Sequence, residues 1–212
     1  MTNDTAFIRE LADLAPIIPV LVVEDVAHAV PLAEALVRGG LPVLEVTLRT
    51  EAALDVIAAM ATVKGARVGA GTLVTADDVT AAIAAGATYG VTPGSPAALI
   101  EACLAANLPL LPGAATATEA MTLQARGFEV LKFFPAEAAG GIKMLKGLGG
   151  PLAGISFCPT GGVSAANAAD YLALRNVVCA GGSWIAPLDL VNAEKWDEIE
   201  ARARAAAALP RG

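Results

Sequence analysis

Eight short runs rich in Val, Ile and Leu recur along the chain, and each is followed by an Ala-rich stretch of helical period. The runs are 17–23, 43–48, 68–72, 89–92, 108–112, 130–134, 155–159 and 177–181. Helical candidates follow near 26–38, 51–62, 76–85, 96–106, 117–126, 141–147, 164–174 and 191–208. Strands that are apolar on both faces and alternate with helices have only one good way to bury themselves, as a parallel sheet covered by helices. Thr75 before Ala76-Asp77-Asp78 and Ser164 before Ala165 read as helix caps. Eight such units in 212 residues predict an α/β fold, a (β/α)8 TIM barrel forming one domain over 1–212. An extra N-terminal helix, near 4–14, would cover the barrel floor. An open doubly wound sheet is the rival, but no G-x-G-x-x-G opens the first βα unit, where 17–23 runs into Glu24-Asp25.

Composition narrows the function classes. Hydrophobic residues make up 56% of the chain and aromatics 4%, so the core is built of small aliphatic side chains. A net charge of −7 argues against nucleic acid and against anionic membrane surfaces. It leaves room for a small phosphorylated substrate, because backbone N–H groups at helix N-termini and Gly-rich turns bind phosphate whatever the global charge. The uncharged stretches 79–100 and 147–169 are broken by Gly and Pro, so no membrane span is expected. The segment holding Asp4, Arg9, Glu10 and Asp13 has no apolar core of a signal peptide. Cys103, Cys158 and Cys179 are odd in number, widely spaced and in apolar settings, which fits a reducing cytoplasm without disulfides.

Two of the strands carry charge. Alternation along a strand places Glu45, Thr47 and Arg49 on one side, with Leu44, Val46 and Leu48 on the other. Val130, Lys132 and Phe134 share a face in the same way. An amine buried in apolar surroundings is driven toward its neutral, nucleophilic form. An acid, an arginine and such a lysine suit a Schiff-base carbon–carbon lyase. Lys132 could instead snorkel to water at a strand end, and Glu45 could be a structural partner for a cation. As a catalyst, Glu45 would serve as general acid/base. Continuing the strand puts Arg49 about 13 Å beyond Glu45, at the open end. There a guanidinium suits bidentate capture of a carboxylate, or else an ion pair with Glu51.

Barrel enzymes keep their chemistry at the carboxyl ends of the strands, and the remaining candidates fall there. Thr72 follows the third run, Pro93 the fourth, Gly113 the fifth, and Phe134 with Pro135 the sixth. Thr160-Gly161-Gly162 and Gly181-Gly182-Ser183 follow the last two, the usual place for a barrel phosphate site. Counting Ser156, Cys158, Thr160 puts the Thr160 hydroxyl on the inner face, unless it only caps the turn. His28, the one histidine, lies between alanines and reads as a packed or surface residue. No His/Cys/Asp/Glu cluster has metal-ligand spacing, and no P-loop or G-x-S-x-G is present, so neither metal nor cofactor is called for.

The strings PVLVVED (19–25), LEVTLRT (44–50), VGAGT (68–72), PGAAT (112–116), KFFPAEAAGG (132–141), FCPTGG (157–162), DYLAL (170–174) and GGSW (181–184) span nearly the whole chain. Together they resemble the bacterial 2-keto-3-deoxy-6-phosphogluconate aldolases, which also act as 4-hydroxy-2-oxoglutarate aldolases. The resemblance implies a Schiff base on Lys132 and proton transfer by Glu45. It implies that Arg49 and Thr72 hold a pyruvyl carboxylate, with Pro93 and Phe134 shaping the pocket. It further implies that Gly161, Gly162, Gly181, Gly182 and Ser183 receive phosphate, that Thr160 contacts the sugar chain, and that the assembly is a homotrimer. The main departures are the Ala114-Ala115 pair and Ser95 in the βα loops, where relatives differ among themselves, which bears on substrate preference. Two other readings stand beside it: a phosphosugar isomerase or synthase without a covalent lysine, and a non-catalytic sugar-phosphate binding barrel.

Overall fold

The computed structural model describes residues 5–212. In chain order the elements begin with α1 (Thr5–Leu14), β1 (Ile17–Leu21), α2 (Ala29–Arg38), β2 (Val43–Thr47), α3 (Ala53–Met60), β3 (Arg67–Gly71) and α4 (Ala76–Ala84). Next come β4 (Tyr89–Val91), α5 (Ala97–Ala105), β5 (Leu110–Leu111), β6 (Gly113–Ala114), α6 (Ala117–Gln124), β7 (Val130–Phe133) and α7 (Gly141–Gly149). The last are β8 (Ser156–Pro159), α8 (Ala168–Leu172), β9 (Ala180–Gly182), α9 (Leu188–Asn192) and α10 (Trp196–Ala207). Residue 4, the expected start of the first helix, lies outside the described residues. No helix among the described residues is long and apolar enough to cross a membrane.

Every strand pairing is parallel. One sheet runs β5-β4-β3-β2-β1-β9 and a second runs β6-β7-β8. The fold is thus α/β with a curled parallel sheet in two pieces. The fifth expected strand, 108–112, is in fact β5 and β6, divided at Pro112. Proline has no N–H to give a ladder. Its carbonyl still accepts the Lys132 N–H at 2.9 Å, so the second piece starts where the first stops. Isolated parallel bridges at Phe157–Val177 and Thr160–Gly181 set β8 beside β9.

Helix starts follow their caps. Thr75 accepts from the Asp78 N–H while the Asp78 carboxylate accepts from Thr75, and Thr116 with Glu119 repeats this reciprocal box. Ser164 is not a cap. Its N–H donates to Asn167 Oδ1 at 2.8 Å, and Asn167 Nδ2 donates to the Gly162 carbonyl at 3.1 Å. That side chain pins the turn at 165–167, so α8 begins only at Ala168. The helix expected over 191–208 is two, α9 and α10, because Glu194 between them sits at φ 53°.

The apolar residues divide into two layers. Leu44, Val46, Leu131, Phe133 and Phe157 face outward and pack with helix residues such as Leu32, Leu36, Ile57, Leu123 and Leu145. Ile18, Val43, Tyr89, Val91, Leu111, Val130, Cys158 and Cys179 face inward and pack with Ile8, Leu11 and Ala12 of α1. The first helix therefore covers the inner cluster from the amino ends of the strands, as expected. Arg211 secures it, donating to the carbonyls of Ala12 at 3.0 Å and Asp13 at 3.0 Å, two acceptors that the end of a helix leaves unpaired. Cys103, Cys158 and Cys179 are free and buried, the small apolar residues that the sequence implied.

Candidate active site

Two charged side chains meet inside the curl. Glu45 lies on β2 between inward-facing Val43 and Thr47, and Lys132 lies on β7 beyond inward-facing Val130. Their neighbours Leu44, Val46, Leu131 and Phe133 are bound into the outer layer, which leaves the charges no outward rotation. Lys132 Nζ donates to Glu45 Oε1 at 2.8 Å, with side-chain exposures of 6% and 3%. The strands come from different sheet pieces, so the contact joins the two across the interior. Lys132 does not snorkel. Burial of such a pair is costly, and the mutual hydrogen bond offsets part of that cost.

The surroundings are arranged around that carboxylate. In the β2–β3 register Glu45 stands opposite Gly69 and Thr47 opposite Gly71. The Tyr89 ring occupies the space that a side chain at Gly69 would need. Tyr89 donates its hydroxyl to the Leu44 carbonyl at 2.9 Å. Burial, and then the negative charge of Glu45, push the phenol well above its ordinary pKa, so it stays neutral. Thr47 Oγ1 donates to the Leu21 carbonyl at 2.9 Å and fixes the end of β2.

The expected extension of β2 to Arg49 does not occur. The strand ends at Thr47, the Arg49 N–H donates back to the Thr47 carbonyl at 2.8 Å, and the chain turns. Arg49 is an exposed residue at the carboxyl end of β2, off the inner-face alternation, and makes no ion pair with Glu51 among the described residues. Phe134, also past the end of its strand, turns its ring toward Lys132 Nζ, 5.4 Å from the centroid. Thr72 follows β3 directly with φ 63°. A β-branched residue in that region carries strain of about 1–3 kcal/mol, a cost that gathers at ligand-binding positions.

Pro93 follows β4 between two side chains that grip Gly113. The Gly113 N–H donates to Thr92 Oγ1 at 3.2 Å and Ser95 Oγ donates to the Gly113 carbonyl at 2.7 Å. Gly113 is in turn the register partner of Lys132. A Cβ at 113 would lie 2.6 Å from the Thr92 carbonyl oxygen, so only glycine permits this approach.

Thr160 closes the site on the β8 side. Its hydroxyl is buried and has no hydrogen-bond partner among the described residues, a state that costs about 1–3 kcal/mol for a hydroxyl. It projects over Gly181, its bridge partner, where a Cβ would lie 3.0 Å from Thr160 Cγ2. Gly161 and Gly162 follow at φ 98° and 80°, and Gly182 and exposed Ser183 end β9 alongside. The geometry therefore joins Lys132 directly to Glu45 and Phe134, and Thr160 to Gly181. Arg49, Thr72, Pro93 and Ser183 stand at the carboxyl ends of β2, β3, β4 and β9, and among the described residues none of them hydrogen-bonds to the Lys132 or Glu45 side chain. Gly71, Tyr89 and Thr92 were not singled out from sequence. The one signal for the first two is a pair of glycines at alternate positions of a strand next to a buried acid.

A family model described as KDPG and KHG aldolase matches residues 8–202. The chain belongs to that family. It is 52% identical to a 2-dehydro-3-deoxy-phosphogluconate aldolase of Pseudoalteromonas atlantica over 94% of each chain. It is 45% identical to the KHG/KDPG aldolase of Escherichia coli K12 over 97% of each. Among solved structures, it superposes with a TM-score of 0.92 on the 2-keto-3-deoxy-6-phosphogluconate aldolase of Zymomonas mobilis ZM4 with 3-phosphoglycerate, at 43% identity and 98% coverage of each chain. The KDPG aldolase of Legionella pneumophila, with pyruvate captured as a covalent carbinolamine, gives the same TM-score at 40% identity, covering 94% of this chain and 98% of that one. The expected resemblance is borne out over the whole stretch that carries the site.

Proposed function

We propose that this member of the KDPG and KHG aldolase family is a class I aldolase that cleaves 2-keto-3-deoxy-6-phosphogluconate to pyruvate and glyceraldehyde 3-phosphate. The same chemistry would cleave 4-hydroxy-2-oxoglutarate to pyruvate and glyoxylate. The observation that carries it is the buried 2.8 Å contact between Lys132 Nζ and Glu45 Oε1. That contact sets a nucleophile and a proton acceptor one hydrogen bond apart.

Lys132 passes a proton to Glu45 and its free amine attacks the C2 ketone. Glu45 returns that proton to the carbinolamine hydroxyl, which leaves as water and gives an iminium that draws electrons from the C3–C4 bond; Glu45 is then again a carboxylate. Glu45, through a water, takes the C4 hydroxyl proton. The C3–C4 bond breaks, releasing the aldehyde and leaving an enamine on Lys132. The enamine takes a proton at C3, and hydrolysis frees pyruvate and restores the amine. Arg49 and Thr72 hold the pyruvyl carboxylate at the strand ends, and Pro93 and Phe134 wall the pyruvyl pocket. Gly161, Gly162, Gly181, Gly182 and Ser183 offer backbone N–H groups to the phosphate, and Thr160 bonds the sugar chain. In this reading β5 and β6 act as one strand, and the bridges between β8 and β9 complete a single-domain (β/α)8 barrel. The assembly is a homotrimer, and the cytoplasm is its compartment.

Borohydride reduction in the presence of pyruvate tests the proposal. Peptide mass analysis should find one pyruvyl adduct, on Lys132. A chain left without that adduct is instead a binding barrel or an isomerase, whatever its affinity for sugar phosphates.

A further inference from the structure

A carboxylate lies against the turn assigned to phosphate, and a buried tyrosine holds it. Glu137 follows β7 in the loop that packs on the β8 turn, where the Ala136 N–H donates to the Thr160 carbonyl at 2.8 Å and the Glu137 N–H to the Gly161 carbonyl at 3.0 Å. Its stem lies flat on Gly162, where a Cβ would meet Glu137 Cβ at 2.7 Å. The carboxylate is carried past the turn. A Cβ at Gly141 would lie 3.3 Å from Glu137 Oε1 and 3.1 Å from Tyr171 Oη, so the acid stands at the first turn of α7. Tyr171, fully buried on α8, donates its hydroxyl to Glu137 Oε1. The opposite side of the turn is tied by Asn167, through the Gly162 carbonyl.

A negative charge beside a dianion site is a liability unless it is turned away. We propose that Tyr171 and Glu137 set the preference for phosphorylated substrates. The tyrosine hydroxyl and the positive end of α7 hold the Glu137 carboxylate off the Gly161-Gly162 turn, while its stem props that turn open. Both are positioning residues, since neither reaches the reacting atoms. Glu137 and the first charge on phosphate repel, so the same carboxylate released from Tyr171 opposes binding. The fully buried phenol has its pKa raised by burial and by Glu137, which keeps it the donor. The inference rests on the proposed assignment of phosphate to the glycine turns.

The test compares 2-keto-3-deoxy-6-phosphogluconate with unphosphorylated 4-hydroxy-2-oxoglutarate. Tyr171→Phe should raise KM for the phosphorylated acid about tenfold, the scale of one like-charge contact in a partly solvated site. It should leave kcat for both acids, and kcat/KM for the unphosphorylated one, within about twofold. Adding Glu137→Gln to Tyr171→Phe should restore the lost KM, because the freed group is then neutral. Glu137→Asp, too short to reach Tyr171, should reproduce the defect and serves if Tyr171→Phe does not fold. An equal loss for both acids, or no rescue in the double variant, overturns the inference. Absence of the pyruvate adduct on wild-type Lys132 would instead overturn the aldolase reading, and that assay involves neither residue.

Discussion

Gly71 of β3 faces the carboxylate of Glu45 so closely that a Cβ there would lie 2.6 Å from Glu45 Cγ and 2.9 Å from Cδ. The glycine is what lets the acid lie alongside its own sheet and reach Lys132. Gly71→Ala should push the carboxylate off that line. A displacement near 1 Å in a catalytic group typically costs about 10²-fold in turnover. Steady-state kinetics should show that loss in kcat, while borohydride trapping on Lys132 persists. Unchanged kcat would mean that Glu45 need not stand where it does.

The buried pair separates stability from chemistry. Glu45→Gln should fold, still form the pyruvate adduct, and lose about 10²–10⁴ in turnover. Lys132→Met leaves Glu45 buried without its partner and should cost about 3–5 kcal/mol in urea unfolding. The double variant Glu45→Leu/Lys132→Met should recover most of that stability, and it should be inactive. A double variant as unstable as Lys132→Met would make the pair a structural requirement.

The buried Thr160 hydroxyl has no hydrogen-bond partner among the described residues. Thr160→Val should therefore leave the unfolding free energy unchanged or raise it by about 1 kcal/mol. A site built to bond a hydroxyl discriminates sharply, so the gluco epimer of the phosphorylated keto-deoxy acid should be preferred over the galacto epimer. The variant should narrow that kcat/KM ratio. A constant ratio would put epimer choice elsewhere.

Burial pushes the Cys103 thiol from 9.0 to about 11. The folded state thus keeps a proton that the unfolded chain gives up, and stability from this group is full below pH 9 and lost as the pH rises toward 11. The difference in denaturant midpoint between wild type and Cys103→Ala should be constant below pH 9 and shrink above it. Alkylation of the native protein at pH 8 should be slow for the same reason. A difference that grows with pH contradicts this assignment.

Leu11 of α1 is buried among the inner-facing strand residues. Leu11→Ala should cost about 2–5 kcal/mol, measured by thermal or urea unfolding. A loss under 1 kcal/mol would mean that the helix is not needed to close the inner cluster.

Glu45 and Lys132 were legible because a charge flanked by large apolar residues, Leu44 and Val46 or Leu131 and Phe133, has only one face of a period-two pattern left to occupy. The counting failed at Arg49, since a strand's end is set by its neighbours and by the next turn, which the alternation does not encode. The single residue Pro112 divided a strand whose hydropathy is continuous. The α8 start was misplaced because Ser164 and Asn167 have similar cap chemistry, and the longer-range bond of Asn167 to Gly162 decided between them. Gly71 and Tyr89 carried almost no signal. A glycine in a strand has no side chain to show which way it faces, and the use of Gly71 depends on the carboxylate of Glu45, on a different strand. The contact of Tyr171 with Glu137 follows no local period at all.

The shared hydrogen bond between Lys132 and Glu45 makes the interior electrically self-contained. One proton and one negative charge are divided between two side chains, and formation of an iminium replaces an ammonium with another monocation. The charge within the curl is therefore the same before attack and after imine formation. Nothing in that pair is left to offset an incoming anion. Under the proposed assignment, a substrate that brings a carboxylate and a phosphate finds its countercharge at the rim, in the exposed guanidinium of Arg49 and the oriented amides of the turns. On that assignment, attraction of the substrate and reaction of its carbonyl belong to different depths of one site, and ionic strength should act on the first while leaving the second almost untouched.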